Sequence, residues 1–256
     1  MQNEGFLNRV LRGRIGLLAR IVHSAIWVRC KARKSYSQFG EDAVLRNLLA
    51  EMAYHGIEVP QRGWYVDIGA FSPIQFSNSY DLYLRGWRGL VVDATPGTGL
   101  PFRILRPRDQ FANVAVGSES KVLPFYTWGA PMVMNTADPE VAKEFARVIG
   151  REPTVVEVEL TTLASLLEKH RLDPRVVAMV SIDVEGYSTE VLRGIDWDTL
   201  KPLVFVVETD TVPLRGIEPD SSTTLLESVG YVPVAVAGPS TFFVQVEHAR
   251  RIGRRK

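Results

Sequence analysis

The chain has 256 residues, 46% hydrophobic and 23% charged, which suits one soluble globular domain with an extension. The net charge of +1 hides a segregation: residues 1–35 carry +7, residues 250–256 carry +5, and the body between them carries −11. An acidic body excludes a nucleic-acid groove, and a single cysteine, Cys30, excludes an internal disulfide and a cysteine-built zinc site, in keeping with a reducing, cytoplasmic compartment.

Residues 5–29 alternate apolar and basic positions at roughly helical spacing, with Leu7, Val10, Leu11, Leu17, Leu18, Ile21, Ala25 and Val28 on one broad face and Arg14 intruding on it. Two uses fit such a helix: it lies on an anionic membrane through residues 5–35, or it packs on the domain or on a second copy of the chain. The apolar run Ile21 to Val28 falls far short of the ~20 residues a span needs, so no membrane crossing is expected. The domain proper is expected over 36–249, with a basic tail over 250–256.

Along the domain, a helix is predicted from Asp42 to Tyr54, a first strand over Trp64–Ile68, and a helix Asn78–Arg85 capped by Ser77. A second strand is predicted over Leu90–Asp93 and a third over Phe111–Val116. Val122–Thr127 and Thr154–Leu160 read as short strands around an insert, residues 128–150, which holds Pro131, Met132, Met134, Asn135 and a helix from Pro139 to Ile149. Thr162 caps a helix Leu163–His170, and strands four and five follow at Val176–Ile182 and Leu203–Glu208. A helix from Ser221 to Val229 precedes a closing antiparallel pair, Tyr231–Ala237 and Thr241–Val246. Strands alternating with helices at this spacing predict a doubly wound, mostly parallel sheet of α/β class.

Chemistry concentrates at the ends of the predicted strands. Tyr65-Val66-Asp67-Ile68-Gly69-Ala70 is an apolar run closed by an acid and a glycine, and Val91-Val92-Asp93-Ala94 repeats the form. A glycine after the first strand lets backbone approach a ligand, and an acid after the second takes ribose hydroxyls. Phe71 and Ser72-Pro73 stand where a dinucleotide fold needs further glycines, which speaks against a nicotinamide cofactor and for a nucleoside without a pyrophosphate. Ser181-Ile182-Asp183-Val184-Glu185-Gly186 places two carboxylates beyond strand four, pointing the same way if the strand continues. Such a pair can act as a general base, bind an amino or hydroxyl group, or hold a metal. Glu208 adds a third acid to the same rim. The histidines His23, His55, His170 and His248 show no ligand spacing.

Ser37-Gln38-Phe39-Gly40-Glu41-Asp42, Tyr65 to Ala70, Ser77-Asn78 with Leu82-Tyr83, Gly86-Trp87-Arg88-Gly89 leading to Asp93, Asn113 to Gly117, Asp183-Val184-Glu185-Gly186, Val191 to Gly194, Glu208 and Gly230-Tyr231 follow one another in a specific order. In that order the chain resembles the FkbM-type family of S-adenosylmethionine-dependent methyltransferases, over roughly Ser37 to Val246. The resemblance implies a class I methyltransferase (Rossmann-like) fold of seven strands with a C-terminal antiparallel pair. It implies O-methylation of a hydroxyl on a sugar, glycolipid or polyketide-type acceptor. It implies cofactor contacts at Asp67, Gly69, Ala70, Asp93, Ala94, Asn113, Ala115 and Asp183, and a methyl-transfer centre at Asp183 and Glu185. Acceptor contacts are expected at Gln38, Ser77, Asn78 and Glu208, and no metal is expected. Two departures stand out: Ser188 where the family usually has another acid, and Thr95 where Asn is common. A non-catalytic, membrane-peripheral binding module with the same fold is the rival of another class.

Overall fold

In the computed structural model, which describes residues 34–130, 132–212 and 217–253, the apolar runs become the strands of one central sheet. Its order is β3-β2-β1-β7-β8-β10-β9: β1 is Trp64–Ile68, β2 Arg88–Val92, β3 Gln110–Ala112, β7 Val177–Ile182, β8 Val204–Glu208, β9 Tyr231–Ala237 and β10 Ser240–Gln245. The first five strands pair in parallel, and β10 runs antiparallel between β8 and β9. This is the expected seven-stranded class I arrangement with its antiparallel closing pair. The chain steps outward through β2 and β3 and then returns to the other side of β1, so the order reverses between β1 and β7. A crevice opens at such a reversal, at the carboxyl ends of the strands.

Alternation along each strand divides the core into two layers. Val66, Ile68, Val92, Val180, Ile182 and Phe205 face one side, against Leu163, Leu166, Val191, Leu192 and Leu226. Tyr65, Met179, Val204, Val206 and Phe242 face the other, against Leu45, Leu49 and Met52 of α1 (Glu41–Tyr54) and against Leu82, Tyr83 and Trp87. All six residues of β7 are buried, as a central parallel strand covered on both faces requires. From Ser35 onward the chain is one compact unit. No described helix is long and apolar enough to cross a membrane. The amphipathic helix expected over residues 5–29 lies outside the described residues, as do Pro131 and residues 254–256.

Several expected boundaries move. The third strand divides: β3 ends at Ala112, and β4 (Ala115–Gly117) pairs instead with β6 (Thr154–Thr162) in a second sheet of order β4-β6-β5, where β5 is Lys121–Thr127. Asn113 makes the break, its amide donating to the carbonyls of Asp93 (2.6 Å) and Thr95 (2.9 Å) and so turning the chain away from β2. The helix expected from Asn78 is α2, Tyr80–Leu84, although the Ser77 hydroxyl does accept from the Tyr80 amide at 3.1 Å. Pro174–Val176 forms a 3-10 turn ahead of β7. The sequence shows no sign of α3 (Gly99–Leu105), which follows Pro96-Gly97 and contains Pro101. The insert helix α4 (Pro139–Ile149) is capped by the Asp138 carboxylate, and Thr162 and Asp220 likewise cap α5 (Leu163–Lys169) and α7 (Ser221–Ser228). Two short helices are further additions, α6 (Ser188–Arg193) and α8 (Val246–Ile252). The last of these runs across the boundary expected between domain and basic tail.

Beneath the loop that follows β1 lies a fully buried arginine. The Arg106 guanidinium donates to the Asp109 carboxylate (2.6 Å), the Tyr65 hydroxyl (2.8 Å), Ser79 Oγ (2.9 Å), Ser77 Oγ (3.2 Å) and the Pro73 carbonyl (3.4 Å). The rings of Tyr65, Tyr83 and Phe102 surround it at 5.5–5.6 Å. Burial pushes the Arg106 pKa down but is outweighed by Tyr65, Asp109 and Asp67, so the group stays charged. Arg106→Met would strand the carboxylates of Asp67 and Asp109. It should cost about 3–5 kcal/mol of unfolding free energy, the usual consequence of breaking a buried ion pair. Urea unfolding checks this, and a midpoint equal to that of the wild type would show that the network carries no stability.

Candidate active site

The site begins where two turns meet. Gly69 has φ 81°, and a Cβ built on it would lie 1.6 Å from the carbonyl oxygen of Asp183. The amides of Gly69 and Ala70 both donate to the Val92 carbonyl, and the Asp183 amide donates to the Ile68 carbonyl. Glycine is therefore required at 69 by the close approach of a neighbouring backbone as well as by its dihedral angle.

Around this point a cavity of about 280 Å³ opens at the carboxyl ends of β1, β2, β7 and β8. Gly69, Asp93, Ala94, Ala115, Asp183, Glu185, Glu208, Gln38 and Asn78 line it, so most of the expected site residues converge there. One flank is apolar, formed by Val114, Ala115, Phe125 and Ala137. Asp93 sits between that flank and the glycine turn. Its oxygens accept the amides of Phe71 (2.8 Å) and Thr95 (2.7 Å), which leaves lone pairs for further donors. Burial raises the Asp93 pKa, and the two amides oppose that shift.

Four expected contacts fall elsewhere. Asp67 is buried under the loop, where it accepts from Ser79 Oγ. Burial raises its pKa, with Arg106 the largest opposing influence. Ser77 belongs to the Arg106 network. Ala70 packs with Val91 and Phe102 behind the turn. Asn113 spends its amide on the two carbonyls that break β3. These four shape the cavity without lining it.

The mouth is made by the segment before α1. Asp42 gathers Ser35 Oγ (2.6 Å), the Tyr36 amide (2.8 Å) and Ser37 Oγ (2.9 Å), while the Tyr36 carbonyl accepts from the Ser77 amide. This knot holds Gln38, Phe39 and Glu41 over the opening, and the Phe39 ring leaves no room for a Cβ on Gly238. The rings of Phe71 and Phe76 stack at 6.0 Å on the other side.

Three acids occupy the centre. One carboxylate oxygen from each of Asp183, Glu185 and Glu208 lies within 4.8 Å of the other two. The strand ends at Ile182, so Glu185 reaches the cavity through a left-handed turn (φ 46°) rather than by strand alternation, which corrects the geometry expected from the two-residue spacing. Three carboxylates so placed suit a hard cation or a shared proton equally. Burial pushes the Glu185 carboxyl up to about 8, with the charge of Glu208 adding to it. Asp183 is raised well above the carboxylate range by burial and then by Glu208 and Glu185. Burial also raises Glu208, which the hydrogen bond from Asp183 and the Glu185 amide partly offset.

Sequence reasoning missed Arg106, Phe76 and Thr136, whose importance lies in contacts between distant segments. Asn135 was placed in the insert but given no partner. Its amide donates to Thr95 Oγ1 at 3.1 Å.

This strand order, with a glycine turn after β1, an acid after β2 and acids beyond β7, defines a class I methyltransferase. The family model described as "Methyltransferase FkbM domain" matches residues 67–233, and the chain belongs to that family. Its cofactor is S-adenosylmethionine. Among curated proteins, none matches the chain in sequence. Two solved structures are similar. One is the 1,6-didemethyltoxoflavin-N1-methyltransferase of Burkholderia thailandensis, crystallised with 1,6-didemethyltoxoflavin and S-adenosylhomocysteine (12% identity, 95% of this chain and 89% of that one, TM-score 0.36). The other is the precorrin-6y C5,15-methyltransferase of Geobacter metallireducens GS-15 (13% identity, 79% and 87%, TM-score 0.35).

Two outcomes follow from this geometry. Gly69→Ala forces the Asp183 carbonyl aside, and calorimetry with S-adenosylhomocysteine should show the affinity falling by about tenfold or more, the scale of 1.4 kcal/mol. Glu185→Gln should stabilise the protein in a pH-dependent way. A carboxyl raised from 4.5 to about 8 costs nothing below pH 4.5, and its penalty grows as pH rises through that window. The gain in unfolding free energy should therefore be near zero at pH 4 and roughly 2–5 kcal/mol at pH 9. A gain that is the same at both pH values would show that Glu185 titrates normally.

Proposed function

We propose that the protein is an O-methyltransferase that acts on a hydroxyl of a sugar, glycolipid or polyketide-type acceptor. The observation that carries this reading is the convergence of Asp183, Glu185 and Glu208 on the cavity beside the Gly69 turn. S-adenosylmethionine, when bound, supplies a methyl group on a positively charged sulfonium. The residues present suit it. The apolar flank of Val114, Ala115 and Phe125 takes an adenine, and the free lone pairs of Asp93 take ribose hydroxyls. Gly69 and Ala94 offer backbone, and the acid cluster faces the positive charge.

Gln38, Asn78 and Glu208 hold the acceptor. Glu185 is the general base: its raised pKa brings it near neutral pH, where a base is most effective on a weakly acidic hydroxyl. Asp183, hydrogen-bonded to Glu208, holds a proton away from the acceptor side and orients the pair. Positioning of the hydroxyl by these groups contributes up to ~7–11 kcal/mol of barrier reduction. Met132 and Val133 of the insert line the same cavity and serve as its lid.

The test is transfer of labelled methyl from S-adenosylmethionine to a panel of tagged oligosaccharides and glycolipids, with the product located by fragmentation mass spectrometry. A methyl ether supports the proposal, and a methyl on nitrogen or carbon overturns it. In the same assay Glu185→Gln should lose about 10²–10⁴-fold in turnover while still binding S-adenosylhomocysteine. Full turnover in that variant would remove Glu185 from the role.

A further inference from the structure

Among the described residues, only Phe71, Phe76, Arg171 and Glu185 are non-glycine residues with positive φ, and three of the four line the cavity. A long side chain in that region persists only where its surroundings hold it there. The Glu185 peptide is held at both ends. Its N–H donates to Glu208 Oε2 at 3.2 Å, and its carbonyl accepts from Thr136 Oγ1 at 2.8 Å.

Thr136 is 1% exposed, and its own backbone is anchored independently of that bond. It exchanges two hydrogen bonds with Tyr126 of β5, at 2.9 and 3.1 Å, so the hydroxyl projects from the second sheet onto the acid turn. Its neighbour Asn135 faces the other way. The Asn135 side chain accepts from the Trp128 amide (2.9 Å) and donates to Thr95 Oγ1 (3.1 Å), and the Thr95 amide donates to Asp93. Two consecutive buried polar residues of the insert thus join the Asp93 side of the cavity to Glu185.

We propose that Thr136 is a positioning residue for methyl transfer: its hydroxyl fixes the Glu185 peptide in the left-handed turn that aims the Glu185 carboxyl into the cavity, and Asn135 sets Thr136 against the cofactor side. This rests on the assignment of Glu185 as the base. Thr136 does not line the cavity and acts through the Glu185 carbonyl. Removing its hydroxyl leaves the volume and the Tyr126 pairing in place, releases one end of the turn, and also frees the Asp138 amide, which donates to Thr136 Oγ1 at 3.0 Å.

The experiment compares Thr136→Val, which keeps the shape and loses the hydroxyl, with Thr136→Ser, which keeps the hydroxyl. The first readout needs no acceptor. It is the side-chain carboxyl ¹³C signal of Glu185 in labelled protein bound to S-adenosylhomocysteine, assigned by its disappearance in Glu185→Gln. The signal should move in Thr136→Val and return in Thr136→Ser, with S-adenosylhomocysteine affinity unchanged in both. With the acceptor found by the labelled-methyl assay, Thr136→Val should lose roughly 10–100-fold in kcat at unchanged KM for S-adenosylmethionine. Thr136→Ser should recover it. An unmoved Glu185 signal in Thr136→Val, or a serine variant that recovers nothing, overturns the proposal. If Thr136→Val does not fold, Thr136→Ala makes the same comparison, and failure of both while Thr136→Ser folds leaves Thr136 a purely structural residue. Full turnover in Glu185→Gln would overturn the base assignment alone, because the carbon signal does not depend on turnover.

Discussion

The contact on which the site depends is made by backbone alone: the carbonyl of Asp183 lies over the α-carbon of Gly69, where no Cβ fits. It follows from strand pairing, since β1 and β7 are aligned with Ile68 opposite Ile182 and both strands stop there. Two turns that leave neighbouring strands at one level must either diverge or interlock. Here they interlock, through the hydrogen bond from the Asp183 amide to the Ile68 carbonyl. The interlock brings the acid turn within reach of the loop that carries Phe71 and, through the Phe71 amide, of Asp93. A cavity walled by four strand ends thus becomes one site with a polar centre.

A site of this kind costs stability, and the structure shows where the cost falls. Asp93, Asp183, Glu185 and Glu208 all have raised pKa values, and burial is the largest cause for each. The molecule offsets this next door with Arg106, which donates three hydrogen bonds to the loop from Pro73 to Ser79 and two more to Asp109 and Tyr65. The division is physical. Among the described residues the acids that line the cavity have no cationic partner, and the charge that holds the loop is paired behind it. Asp67 stands on the second side of that division. Its position at the end of β1 suggests a ligand contact, whereas its side chain faces Ser79 and Arg106.

The central sheet was legible because buried parallel strands read as apolar runs closed by turn residues, as Val177–Ile182 and Val204–Glu208 do. The rim acids were legible for the same reason: Asp93, Asp183 and Glu208 follow directly from where those runs end. What periodicity could not show was any contact whose partners lie far apart in sequence. The break after Ala112 depends on the Asn113 amide reaching back across 20 residues, so β3 and β4 read as one strand. Arg106 lies in Leu105-Arg106-Pro107-Arg108-Asp109, which looks like a solvated loop, and only folding brings Tyr65 and Ser79 around it. Glu185 lines the cavity, but through a left-handed turn that alternation along a strand cannot anticipate.

That turn bears on the chemistry in a way alternation would not. On the proposed reading, methyl transfer removes a positive charge from the cavity in the same event that frees a proton from the acceptor. A carboxylate beside a cation has its pKa lowered, and the same carboxylate recovers its higher value once the cation is gone. Glu185, whose carboxyl stands near 8 without a neighbouring cation, is therefore driven toward the ionised base by the charged cofactor and toward the protonated acid by the neutral product. Its proton affinity rises when a proton becomes available. The effect requires the half-buried carboxyl to stay within the cavity throughout, because a side chain free to swing into water would lose both the high pKa and its sensitivity to the charge. If Glu185 is the base, its hold from Glu208 at the amide and from Thr136 at the carbonyl is what couples the electrostatics of the cofactor to it.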